Sequence, residues 1–257
     1  MRFFLLHDSD MEIKTLRTGS WVPTAFFAIT ICMVACAMGC QNQTDNGEPK
    51  TDGLGSTADL NQTTSDPTEV TKTKLFDGKS LDGWQQTDFG GQVEAIVVDG
   101  EIVIEAGSPM AGINRSRDED LPKSNYEISL EAKRTAGIDF FCGLTFPVQE
   151  SFCTLIVAGW AGATVGLSNV DGLDASSNDT NLAMDLKDNR WYKIKVQVTN
   201  DAITCWIDDE QVIDQKLAGH KISIRPDVTP CLPLGLCAFE SAVAYRNIVM
   251  KQLDAGK

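Results

Sequence analysis

The chain has 257 residues, 42% hydrophobic and 23% charged, and that much apolar material excludes a wholly disordered chain. One long apolar run, near the N-terminus, excludes a multi-span membrane protein. Lys and Arg number 22 against 36 Asp and Glu, for a net charge of −14, so nucleic acid is not an expected partner, since phosphate binding rests on cationic neutralisation.

Val22 to Gly39 is apolar or small almost throughout, with Lys14 and Arg17 ahead of it. This is a basic n-region followed by an h-region, and Met11 begins a more typical signal than Met1. The run ends Ala37-Met38-Gly39-Cys40 and turns polar at Gln41-Asn42-Gln43. A small residue before Cys at that point resembles the bacterial lipoprotein signal, whose Cys becomes lipidated. Residues 1–40 are therefore expected to be a lipoprotein-type signal segment, with Cys40 lipidated. Met33 to Cys36 fits the motif about as well, and a cleaved secretory signal or a single membrane anchor stay open. The expected location is the bacterial cell envelope, lipid-anchored, periplasmic or surface-exposed. Residues 41–73, rich in Gln, Asn, Thr, Asp, Ser and Gly without an aromatic, read as a flexible polar linker.

From residue 74 to 257 strand signals repeat and helix signals do not. Glu94–Asp99 and Glu101–Glu105 flank Gly100 like the arms of a hairpin around an Asp-Gly turn. Tyr126 to Lys133 alternates apolar and polar residues, which predicts one buried and one wet face. Ile138–Phe146 and Phe152–Ala158 are nearly continuous apolar runs and read as central strands. Leu182 to Asp188 is expected to hold one helical turn. Trp191–Val198, Ala202–Ile207, Gln211–Asp214, Leu234–Phe239 and Ala242–Leu253 complete the strands, with Asp208-Asp209-Glu210 as a turn. Many short strands predict an all-β domain, a single sandwich or jelly roll.

Leu75-Phe-Asp-Gly-Lys-Ser-Leu-Asp-Gly-Trp84 resembles the opening motif of the DUF1080 family, described as 3-keto-disaccharide hydrolase or 3-keto-glucoside lyase/hydratase domains. Val98-Asp-Gly-Glu-Ile-Val103, Asn125 to Glu131, Trp191 to Glu210 and Phe239 to Ile248 resemble later stretches of that family in the same order. The resemblance spans Leu75 to Leu253. It implies a concanavalin-like jelly roll and cleavage of a 3-keto-glycoside by an envelope-anchored hydrolase or lyase, with a carbohydrate or keto-sugar as ligand. Phe141-Cys142 stands where common members carry Asn-Ser. No histidine occurs between His7 and His220, so no imidazole mechanism within that span carries over. A non-catalytic glycan-binding or surface interaction module of the same fold is the alternative, and a structural lipoprotein that binds protein partners is a third.

Asp139, inside an apolar run, is the candidate catalytic base. Strand alternation would put it on one face with Phe141, Gly143 and Thr145. A buried carboxylate needs a partner, and Arg115, Arg117, Arg134 and Arg246 are candidates. The loop Ser168–Asn181 is long and polar, with Asn169, Asp171, Asp174, Asn178 and Asp179. Either it is a solvated surface loop or it binds sugar or metal. Its hard oxygen ligands, Asp171, Asp174, Asn178 and Asp179, suit Ca²⁺, although the spacing is not that of an EF-hand. Trp160, Asn169, Asp171 and Arg115 are the candidate substrate-binding residues. Five cysteines fall in the domain, an odd number, with Cys142–Cys153 and Cys231–Cys237 as candidate pairs.

Overall fold

A computed structural model describes residues 71–91 and 93–254. The signal segment, Cys40 and residues 41–70 of the linker lie outside the described residues. The strands are β1 (Lys72–Lys74), β2 (Trp84–Gln86), β3 (Ala95–Val98), β4 (Glu101–Ile104), β5 (Met110–Arg115), β6 (Tyr126–Gly137), β7 (Cys142–Val148), β8 (Ser151–Ala158), β9 (Thr164–Ser168), β10 (Leu182–Ala183), β11 (Tyr192–Val198), β12 (Ala202–Ile207), β13 (Glu210–Lys216), β14 (Gly235–Phe239) and β15 (Ser241–Gln252). One 3₁₀ segment, Pro226–Cys231, precedes β14.

Two antiparallel sheets face each other as a sandwich. The first runs β13-β12-β11-β6-β15-β4-β3, with β1 also on β15. The second runs β10-β9-β8-β7-β14-β5-β2. Their inward faces share one core, built from Tyr126, Ile128 and Leu130 on one side and Leu144, Phe146 and Leu155 on the other. Alternation explains the first sheet: in β6 Tyr126, Ile128, Leu130 and Ala132 are buried while Glu127, Ser129, Glu131 and Lys133 are half-buried. The hairpin turns follow turn chemistry, since Asp99 (φ 51°) and Gly100 (φ 82°) both take positive φ between β3 and β4. Tyr245 joins the layers, donating its hydroxyl to the carbonyls of Phe141 (2.8 Å) and Cys237 (3.3 Å).

The central strands of the second sheet are buried on both faces. Gly112, Cys237, Gly143, Ile156 and Gly166 form one register row on its outer side. Chain crosses directly over that row and the next. A Cβ on Gly166 would lie 2.8 Å from the Ala175 carbonyl oxygen, and one on Gly235 would lie 2.5 Å from that of Cys231. Only glycine admits such close backbone approach. Met110, Val228, Cys231 and Cys237 pack there as a small second core.

Four expectations need correction. Asp139 is not in a strand: β6 ends at Gly137 and β7 starts at Cys142. Its carboxylate takes the amides of Phe140 and Ala161, which turns the chain instead of extending it. Phe141 consequently faces the main core with Cys142, while Phe140 joins the outer cluster. Leu182–Asp188 forms no helical turn, because Leu182 and Ala183 pair with β9 and the Lys187 amide donates to the Tyr192 hydroxyl. Cys142 lies opposite Val157 and Cys153 opposite Phe146, so those two cysteines are out of register. All five domain cysteines are buried free thiols. The strand β1 begins the domain at Lys72, inside the stretch read as linker.

Candidate functional site

The outer side of the second sheet is open at one end. There Asp139, Phe140, Trp160, Arg225, Asp227 and Phe239 line a pocket of about 250 Å³. Its floor is apolar, from Met110, Ile156 and Val228. Among these residues the indole of Trp160 stands out, 41% exposed in an otherwise packed region.

The turn that holds Trp160 is strained. Ala158, Trp160, Ala161 and Gly162 have φ of 66°, 50°, 64° and 92°. Three of the four have a Cβ, and left-handed backbone costs such residues about 1–2 kcal/mol each. Asp139 compensates. Its Oδ2 accepts the Ala161 amide at 3.0 Å, and its Oδ1 accepts the Phe140 amide at 2.7 Å. The Asp139 carbonyl in turn accepts the Ser241 hydroxyl (2.9 Å) and Arg134 (3.0 Å). The guanidinium of Arg134 is paired with Asp188 at 2.6 Å, so the arginine near Asp139 serves its backbone and not its carboxylate.

Arg225 and Asp227 line the same pocket. Arg225 Nε lies 3.1 and 3.3 Å from the two oxygens of Asp227, and its NH1 reaches Asp174 at 3.3 Å. The Asp227 pairing raises the Arg225 pKa further, so its charge is permanent. The Arg225 guanidinium and the Trp160 indole line the same pocket, and that pairing of an aromatic ring with a fixed donor suits a hydroxylated ring.

The other predicted residues go elsewhere. Arg115 lies at the far end of β5, locked to Glu119 at 2.6 Å and stacked 5.4 Å from the Trp84 ring centre. Asn169 exchanges backbone bonds with Ser223. Asp171 accepts the Lys221 amide and contacts His220 at 2.7 Å, and those two partners hold it below the usual carboxylate range. Burial pushes Asp174 up, but bonds from Ser176 and Ser177 and the charge of Arg225 outweigh it and leave it lowered. Asn178 donates its amide to the carbonyls of Leu167, Leu173 and Asp174 and accepts from Thr180, which fixes the loop. Asp179 is exposed. Among the described residues no three His, Cys, Asp or Glu side chains gather to hold a metal. This donor set therefore does not fit Ca²⁺, and no step below runs through it.

Phe140, Phe239, Arg225 and Asp227 escaped sequence reasoning. The signal for the last two was Arg225-Pro226-Asp227, a proline that starts a helical turn with an acid behind it. Phe140 was assigned to the wrong face by strand alternation.

Among solved structures, the chain is similar to a putative glycosyl hydrolase from Parabacteroides distasonis, at 18% identity and TM-score 0.47, over 71% of this chain and 94% of that one. It is similar to the carbohydrate binding module CBM66 from Bacillus subtilis, at 13% identity and TM-score 0.42, over 66% and 96%. A third match, at 10% identity and TM-score 0.50 over 72% and 99%, belongs to endo-acting O-glycanases that members of the human gut microbiota express to initiate mucin breakdown. At these identities the likeness is one of fold, and the third match supports the sandwich. No curated protein matches the chain. The family described as 3-keto-alpha-glucoside-1,2-lyase-like domain matches residues 71–251, nearly every described residue, and the chain belongs to that family.

Proposed function

We propose that this protein cleaves 3-keto-glycosides at the bacterial envelope, with the Trp160–Arg225 pocket as its site and Cys40 as its lipid anchor. The observation that carries the reading is the pocket itself: an exposed indole, two carboxylates and a fixed guanidinium around about 250 Å³. The apolar face of a sugar ring packs on Trp160. A ketone at C3 acidifies the proton on C2. Asp139 takes that proton, the electron pair moves onto the C3 oxygen as an enolate, and Arg225 stabilises the charge. The enolate then re-forms the ketone as the C1–oxygen bond breaks, and the departing alkoxide takes a proton from water. Each oxygen of Asp139 accepts one backbone amide and keeps a lone pair for this transfer.

A second reading, a glycan-binding module, is favoured by one observation. Both pocket carboxylates are already engaged in holding the fold, Asp139 by two amides and Asp227 by Arg225. Product analysis by NMR separates the two, using the full chain on a 3-keto-glucoside with and without Ca²⁺. Aglycone release by the parent, absent in Asp139→Asn with binding retained, supports the enzyme. Binding without release sinks the lyase reading. Membrane fractionation of the parent against Cys40→Ser tests the anchor.

A further inference from the structure

The outer face of the first sheet holds a larger cavity that the proposed reaction does not use. It is a trough of about 440 Å³ over the middle of the sheet. Lys74, Val249, Ser129, Lys195 and Trp206 stand in one register row across β1, β15, β6, β11 and β12. Ser129 and Val249 are the short members and make the floor. Lys74 and Lys195 are three strand spacings apart, about 14 Å between backbones. That leaves room between the two lysine side chains for one sugar ring. Lys72 and Lys193 extend the two walls.

The turns of two sequence motifs close one end. Asp77-Gly78 and Gly100 line the trough, and a Cβ on Gly78 would be 3.9 Å from the Gly100 Cα. Both glycines have φ near 80° (81° and 82°), so the turns place bare backbone at the rim.

The charges do not cancel. Glu131 is held by Arg246 at 2.8 Å and Asn247 at 2.8 Å. Asp77 caps its own turn through the amides of Lys79 and Ser80. Asp209 answers Lys193 at 3.3 Å. Lys195 is stacked on Trp206, 4.0 Å from the ring centre, with Glu127 at 3.9 Å. Lys72 and Lys74 are exposed and meet no carboxylate among the described residues. On a chain of net charge −14, a trough with two free ammonium groups is a local reversal of sign, and such clefts concentrate anions.

We propose that this trough binds an anionic sugar unit, a uronate- or sulfate-bearing residue of a glycan, independently of the pocket at Trp160. The mixture of groups selects that chemistry. Ser129, Asn247 and the wall carboxylates hydrogen-bond hydroxyls, while Lys72 and Lys74 answer an isolated negative group. The same carboxylates repel a dense phosphate array, in which one charge follows another every few ångströms. The proposal stands whether or not the pocket is catalytic.

Calorimetric titration of the full chain at low salt tests it, with tetragalacturonate, a sulfated carrageenan tetrasaccharide and neutral maltotetraose as probes. At least one anionic tetrasaccharide should bind about tenfold or more tighter than the neutral one, weakening with salt. Which anion binds separates carboxylate from sulfate recognition. Lys72→Gln with Lys74→Gln, two exposed changes that leave folding intact, should cost about tenfold in affinity. Trp160→Ala should leave the anionic titration unchanged. Absence of anionic binding in the parent overturns the proposal. So does full binding in the double lysine variant, or loss of binding in Trp160→Ala. Lysine-dependent capture of phosphatidylglycerol vesicles with no tetrasaccharide bound also overturns it, in favour of a lipid surface.

Discussion

The outer faces of the two sheets are treated in opposite ways. On the first, polar side chains alternate outward and the face stays open, with ion pairs and cation–π stacks in place of a cover. Trp191, for instance, lies between Lys133 (4.4 Å) and Arg246 (4.0 Å). On the second, glycines and small polar residues let two segments of chain lie on the sheet, and the Asp139–Trp160 end stays accessible. Thr145 and Thr154 satisfy each other at 2.9 Å beneath that cover. A sheet face can thus reach solvent compatibility through charged side chains or through backbone laid over it. The first way leaves a trough walled by side chains, the second a pocket walled in part by the covering chain.

The covered face should be the intolerant one. Gly235→Val puts atoms where the Cys231 carbonyl sits and should cost about 3 kcal/mol. For a domain of this size that is a fall of roughly 6–12 °C in Tm, read by differential scanning calorimetry. Ser129→Ala on the open face should stay within about 0.5 kcal/mol. Equal losses at the two positions would dissolve the contrast. Between the layers, Tyr245→Phe leaves the Phe141 carbonyl without its hydroxyl donor and should cost about 1–2 kcal/mol in urea unfolding.

Alkali should act through the interior. Burial raises the thiols of Cys142, Cys153 and Cys205, Cys153 to about 12, and a bond to Cys231 followed by burial raises Cys237. A raised folded pKa gives stability that is full below the unfolded thiol value, about 8.5, and declines as pH rises beyond it. Urea midpoints should be level from pH 7 to 8 and fall by pH 10. Ellman's reagent at pH 8 should label none of the five domain cysteines before unfolding.

The smallest effect belongs to the open face in acid. Burial pushes Glu131 up, but bonds from Asn247 and Arg246 and the latter's charge hold it below the usual range. Its contribution is present above the ordinary glutamate pKa and lost as pH falls through the lowered one. Glu131 is half-buried on an open face where water screens its partners, so Glu131→Gln should change stability by less than about 1 kcal/mol, and less still in high salt. A large effect would mean that the open face is more tightly built than its ion pairs imply.

Strands with one wet face were readable in the sequence because alternation is local. Tyr126–Lys133 and Tyr192–Val198 carry their burial pattern in their own residues. The covered sheet was harder, because a run buried on both faces has no period. So Ile138–Phe146 read as one strand, and the break at Asp139 depends on the Ala161 amide, twenty-two residues away. Trp160 and Asp139 were legible as candidates, one for its ring and one for its setting. Their meeting was not, and neither was the Arg225–Asp227 wall, which only tertiary packing brings to the pocket.

The strand β1 is held by three register pairs on β15, and the Gln252 amide donates to the Thr71 carbonyl beside it. β15 is meanwhile locked along β6 by ten pairs. Tension on the chain ahead of Thr71 therefore falls on that short ladder first and peels β1 away while the sandwich holds. That detachment would carry Lys72 and Lys74 out of the trough, so a mechanical pull and an anionic ligand would compete for the same three residues.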